Sequence, residues 1–257
     1  MFPDVEILGL SLYNIFFTLG IISALVILRV YGDKKNMPAK VMNFYLITGV
    51  FAIIFGYFSA IFFQALYNSI ETGVFVINEH TGITFLGGLI GGASSFLLIF
   101  YFVGKVIFKE NEHKKYFNML LNIAPCSITL AHAIGRIGCF CAGCCYGKPT
   151  DSFLGVMFPG HLEKVFPTQI FESVFLFALF IILSRMYFKD KWFTMPVYLI
   201  AYGIFRFLNE YLRGDDRGEF FIKFLSPSQG ISLILVIVGV ILLYFQFRKP
   251  TKTKNQS

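Results

Sequence analysis

An arginine stands inside an apolar segment. The stretch HAIGRIGCFCAGCCYG, His132 to Gly147, follows a hydrophobic run and carries Arg136. A guanidinium at membrane depth needs an anionic partner, a polar cavity or both. It is also the side chain best shaped to grip phosphate oxygens, so Arg136 is a candidate holder of a phospholipid headgroup. Gly135, Gly138, Gly143 and Gly147 suggest tight turns and close backbone approach to a ligand, as in a helix broken where it lines a cavity. His132 precedes Arg136 by four residues and shares its face on a helix. An imidazole beside a guanidinium stays neutral, as a general base must, although it can equally serve a backbone hydrogen bond.

Two further polar clusters accompany it. In YGIFRFLNEYLRGDD, Arg206, Glu210 and Arg213 are spaced by four and three and share one helical face. An acid between two bases can fix their rotamers and leave one guanidinium for phosphate, or simply close a salt-bridge ladder. In FPTQIFE, Pro167 suits a first helical turn and Thr168 or Gln169 can bond local backbone. Glu172 lies one turn deeper, where it would partner an arginine. Four cysteines, Cys139, Cys141, Cys144 and Cys145, crowd into seven residues, with Cys126 apart. A single metal would require a sharply folded loop there. Small packing residues beside glycines are the first reading, a disulfide on an oxidising face the second, and no metal or cofactor is expected.

The elements that must position these groups are apolar. Of 257 residues 56% are hydrophobic and 14% charged, and the mean hydropathy is +0.68. Runs of about 20 residues recur, the length that crosses a bilayer as helix. The composition predicts an all-α polytopic membrane protein of about seven transmembrane helices, over Ile7–Val30, Val41–Tyr67, Ile83–Phe108, Phe117–Ile134, Pro167–Phe188, Phe193–Leu212 and Gly230–Phe247. The first run is too long, and too acidic at its start (Asp4, Glu6), for a cleaved signal. One transmembrane domain over 1–248 and a polar cytoplasmic tail over 249–257 are expected. His80, His113 and His161 read as loop residues.

Fifteen of the 22 Lys and Arg follow the first, third, fifth and seventh runs. That bias puts the N-terminus outside and the C-terminus in the cytoplasm. The other seven, Arg136, Lys148, Lys164, Arg206, Arg213, Arg217 and Lys223, fall on the outer half. The net charge of +7 is thereby a topology signal and an attraction to anionic lipid, and no nucleic-acid partner is implied.

At this level the chain resembles the prolipoprotein diacylglyceryl transferase family of bacterial membrane enzymes, nearly from end to end. Gly135 to Gly147 is similar to the family's G-R-x-G-N-F-x-N-x-E-x-x-G. Phe85 to Gly91 is similar to F-H-G-G-L-I-G, Pro167 to Glu172 to P-[ST]-Q-L-Y-E, and Arg206 to Arg213 to R-F-x-x-E-F-x-R. Tyr13 matches a first-helix tyrosine. The resemblance implies transfer of a diacylglyceryl group from phosphatidylglycerol to the cysteine thiol of a prolipoprotein lipobox peptide. The reaction would take place at the outer side of the bacterial cytoplasmic membrane. Arg136 and Arg206 would clamp the phosphate. Tyr13, Gly87, Gly88, Gly135, Gly138, Cys139, Gly147, Gln169, Glu172, Glu210 and Arg213 would surround the substrates.

The chain departs from the family pattern at several positions. Cys139 and Ala142 replace asparagines, Cys144 a glutamate and Leu86 the histidine, while Phe58 stands near the family's second-helix arginine. His132 is the substitute base, with Glu172 and Glu210 as alternatives. A different acceptor, a lipid-binding role alone, or a cysteine-based redox or metal protein are the competing readings.

Overall fold

The computed structural model describes residues 6–7, 9–78, 81–159, 161–190, 193–214 and 225–248. Arg217, Lys223 and the 249–257 tail lie outside them, as do His80 and Glu79. The helices are α1 (Leu12–Lys34), α2 (Ala39–Thr72), α3 (Phe85–Leu98), α4 (Phe117–Cys141), α5 (Thr168–Phe188), α6 (Thr194–Asn209) and α7 (Pro227–Arg248). α3 continues through a π-helical turn, Ile99–Val103, and one further turn, Gly104–Ile107. Among the described residues the only paired strands are Glu6–Ile7 and Leu10–Ser11. They turn at Gly9, whose φ is +74°, so α1 starts five residues after Ile7, the expected start.

Six helical stretches among the described residues are long and apolar enough to cross a membrane. Their surfaces are rich in exposed Phe, Ile, Leu and Val, as expected where lipid rather than water is the solvent. The expected Phe193–Leu212 span is shorter: α6 has 16 residues and ends in a 3-10 turn, Glu210–Leu212.

The chain forms two compact units, one comprising Met1–Leu28 with Leu120–Ser257, the other Arg29–Met119. In the second unit α2 and α3 meet along glycines. A Cβ on Gly91 would fall 2.2 Å from the Ser59 Cβ, and one on Gly87 would fall 2.6 Å from the Phe63 Cβ. The Ser59 hydroxyl donates to the Gly87 carbonyl at 2.8 Å. Such small-residue contacts let helix backbones approach where the hydrophobic effect between helices is weak. His113, expected in a loop, is instead fully buried in the short turn Glu112–Lys115. Its ring packs edge-on to Phe100 at 4.9 Å and against Phe108 at 5.3 Å. Aromatic contact on several sides draws the imidazole inward.

In the first unit α4 is the central element. Pro125 lies inside it, and the Thr194 hydroxyl is 2.9 Å from both the backbone and side-chain oxygens of Asn122, tying α6 to α4. Ser173 on α5 donates to the Ala133 carbonyl at 2.9 Å. Gly20 of α1 packs on Ala131: a Cβ there would meet its carbonyl oxygen at 2.9 Å.

The glycine contact predicts a stability contrast. Gly91→Ala forces α2 and α3 apart and is expected to cost about 1–3 kcal/mol. Gly49→Ala, with nothing within 4 Å of the added carbon, is expected to be neutral or stabilising through helix propensity. Thermal unfolding in detergent micelles compares the two. Equal midpoints would show that the glycine seam does not hold this unit.

Candidate functional site

α4 is continuous from Phe117 to Cys141. Gly135 and Gly138 are therefore helical, not turn residues, and the expected break lies after Cys141. Gly138 is a packing glycine: a Cβ there would sit 3.0 Å from Phe16 Cβ and 3.4 Å from the Tyr13 carbonyl. Gly135 has nothing within 4 Å of such a carbon. The helix register carries Arg136 one turn beyond His132, so both face α5.

There they meet Glu172, which is 1% exposed. Arg136 Nε lies 2.8 Å from Glu172 Oε2, and His132 Nε2 lies 3.5 Å from Oε1. The Tyr202 hydroxyl of α6 donates to Oε1 at 2.9 Å, and His132 packs edge-on to the Tyr202 ring at 5.3 Å. One carboxylate from α5 thus gathers an arginine and a histidine from α4 and a tyrosine from α6. The charge of Arg206 also reaches Glu172.

The second cluster forms as its spacing predicts. Arg206 Nη2 is 2.7 Å from Glu210 Oε2, and Arg213 Nε is 3.8 Å from the same oxygen. All three side chains are at most 8% exposed. The start of α7 adds two hydroxyls: Arg206 Nη2 donates to Ser228 Oγ at 2.9 Å, and Ser226 Oγ donates to Glu210 Oε1 at 2.9 Å. The other terminal nitrogen, Arg206 Nη1, is buried without a hydrogen-bond partner among the described residues. A buried donor left unsatisfied is expensive, which makes this nitrogen a natural place for a ligand oxygen.

A loop joins the clusters. Beyond Cys141 the chain turns at Gly143, φ +68°. The start of α5 pins it, with the Thr168 hydroxyl donating to the Cys145 carbonyl at 2.9 Å and Gln169 Nε2 to the Cys144 carbonyl at 2.5 Å. Gly147 donates to the Phe166 carbonyl at 2.8 Å, and Lys148 donates to that of Leu212 at 2.7 Å. A side chain at Gly147 would strike the Leu212 oxygen at 2.5 Å, so glycine is required for the loop to reach Arg213. His161 packs on the Tyr146 ring at 4.1 Å.

Of the residues singled out from sequence, Arg136, His132, Glu172, Gln169, Cys139, Gly147, Arg206, Glu210 and Arg213 all lie in this unit. Tyr13 adjoins α4 through Gly138. Gly87 and Gly88 belong to the other unit, where they face Phe63 and Ala60 on α2. Sequence reasoning missed Tyr202 and Ser228. Tyr202 had a signal, its i,i+4 spacing to Arg206; Ser228 had none, because its neighbour is 22 residues away.

A buried pair that loses one partner strands the other. Glu172→Gln is expected to destabilise the purified protein by about 3–5 kcal/mol, whereas the double variant Glu172→Leu, Arg136→Met recovers most of that loss. Thermal melts of the three proteins check this. A double variant as unstable as the single one would mean that the pair is not what the helices are built around.

Comparison with known proteins matches this sequence to one family. The sequence model of the prolipoprotein diacylglyceryl transferases matches residues 4–245. A phosphatidylglycerol–prolipoprotein diacylglyceryl transferase of Clostridium tetani is 32% identical over 255 residues, covering 95% of this chain and 97% of the relative. One from Clostridium perfringens is 34% identical over 249 residues, covering 93% and 92%. One from Finegoldia magna is 30% identical over 234 residues, covering 90% and 88%. With its several apolar helices this is a multi-pass membrane protein, and the chain belongs to the prolipoprotein diacylglyceryl transferase family.

Proposed function

We propose that this protein is a membrane transferase that moves a diacylglyceryl group from phosphatidylglycerol to the cysteine thiol of a prolipoprotein. Family membership supports the reaction. The observation that carries the site is Arg206, whose Nη2 is held by Glu210 and Ser228 while its buried Nη1 lacks a partner. A phosphodiester oxygen satisfies that nitrogen. Arg136, oriented by Glu172 through Nε, supplies the second guanidinium of the clamp.

In the reaction the acceptor sulfur bonds to the glyceryl carbon that carries the phosphate ester. The carbon–oxygen bond breaks, its electron pair leaves with glycerol phosphate, and the thiol proton goes to a base. The two guanidiniums stabilise the charge gathering on the departing phosphate. His132 is the base in this reading, in place of the family's histidine, where this chain has Leu86; Glu172 and Glu210 are the alternatives. Tyr13, Gln169, Cys139, Glu172, Glu210 and Arg213, with Gly135, Gly138 and Gly147, border the substrates in this reading; Gly87 and Gly88 are carried as substrate-binding residues by the family resemblance alone. The acceptor segment is a lipobox peptide, and nucleic acid plays no part. The charge bias of the loops supports an N-terminus outside and a C-terminal tail, 249–257, in the cytoplasm of a bacterial cell. One membrane domain over 1–248 then opens its site to the outer side of the cytoplasmic membrane.

The test incubates purified protein with labelled phosphatidylglycerol and a lipobox peptide, and follows thioether-linked diacylglycerol by mass spectrometry. Product is expected from the unmodified chain, and Arg206→Ala is expected to lower its rate by about 10²–10³-fold. Arg206→Lys keeps the charge without the fork and is expected to fall between. Lipid that binds without any peptide product would sink the lipoprotein acceptor.

A further inference from the structure

Three of the five cysteines meet in space. The sulfurs of Cys139, Cys144 and Cys145 all lie within 4.8 Å of one another, and no disulfide is formed among the described cysteines. Their spacing alone argues against a shared ligand, since a single ion would need a sharply folded loop. The backbone provides that fold. Gly143 and Cys145 both take left-handed φ values, +68° and +62°, and the Cys144 amide donates back to the Cys139 carbonyl at 3.2 Å. A non-glycine residue with positive φ is uncommon and persists where its surroundings over-determine it. Here the Thr168 and Gln169 side chains hold the two following carbonyls.

Two arginines adjoin the cluster. Arg136 Nη1 lies 3.9 Å from the Cys139 sulfur, and the Arg213 side chain hydrogen-bonds to Cys145. Cys144 is exposed, so packing does not explain a cysteine there. Cys126 is a buried packing residue, and Cys141 is not among the three clustered sulfurs.

We propose that Cys139, Cys144 and Cys145 form a three-thiolate site for a soft cation, Zn2+, whose fourth position is open to the sulfur of an incoming thiol. Tetrahedral zinc with sulfur at about 2.3 Å needs sulfurs separated by about 3.8 Å, so the cluster has only to tighten by about 1 Å or less. Three thiolates and Zn2+ carry one net negative charge, which Arg136 and Arg213 offset. On binding, the thiol gives its proton to the base of the transfer reading as the zinc–sulfur bond forms; a coordinated thiol is deprotonated outright. This ionises an acceptor cysteine in a chain where Leu86 replaces the family's histidine. The identity of that thiol rests on the transferase reading; the metal site does not.

The test uses the full-length, reduced protein in detergent with Co2+ alone, then Zn2+ as competitor. One equivalent of cobalt is expected, with sulfur-to-cobalt charge-transfer bands and tetrahedral visible bands, displaced by zinc. Cys139→Ser, Cys144→Ser and Cys145→Ser should each weaken zinc binding by roughly 100-fold or more, since even outer-shell changes cost 10–100-fold. Cys126→Ser and Cys141→Ser should bind normally. A cysteine-containing lipobox peptide should shift the cobalt bands, and its serine counterpart should not. Absent bands, or bands that survive the three substitutions, overturn the site. Bands indifferent to the cysteine peptide overturn the open position. Metal binding without thioether product in the transfer assay leaves the site standing and removes only the lipoprotein acceptor.

Discussion

The buried carboxylate of Glu172 is the constraint on which the first unit depends. Arg136 cannot lose its charge, and it sits on a helix apolar enough to cross a membrane. It needs an anion within contact distance, and α5 supplies one at 2.8 Å. The same carboxylate accepts from Tyr202 and adjoins His132, so α4, α5 and α6 are locked around one atom group. The Ser173 and Thr194 hydrogen bonds to α4 fix the same helices at other heights. Polar contacts of this kind specify a single arrangement where apolar surfaces alone would slide.

Each guanidinium is held by one carboxylate, and this is compatible with ligand binding because the holding is partial. Arg136 meets Glu172 through Nε, and Arg206 meets Glu210 through Nη2. A guanidinium has five donors, so an ion pair at one edge orients the remaining edge without consuming it. The pairs thereby offset the desolvation of both ions and aim the remaining donors. Preorganisation of this sort is what a site needs to stabilise charge as it develops.

The loop after Cys141 links these charges to the sulfur cluster. Where the family pattern has an asparagine and a glutamate, this chain has the sulfur donors Cys139 and Cys144 on a backbone anchored by Thr168 and Gln169. Arg213 stands between Glu210 and Cys145, so it joins the arginine–carboxylate and sulfur clusters of the unit.

The residues alone determined the class of molecule. Hydrophobic runs of spanning length, the loop charge bias and four motifs in order gave an all-α membrane protein and its family, because composition and periodicity are local properties. The Arg206, Glu210 and Arg213 ladder was legible for the same reason: i,i+4 and i,i+3 neighbours need no tertiary information. Glu172 was legible as a partner only because a lone intramembrane arginine demands one. Three things were decided by the tertiary structure. Helix packing made Gly135 and Gly138 helical rather than turn residues and moved the break past Cys141. The start of α7 brought the Ser228 hydroxyl to Arg206 from 22 residues away. Two left-handed residues, held by side chains from α5, closed three crowded cysteines into one cluster. Those contacts join segments with no fixed spacing, and only the folded chain sets the distances between them.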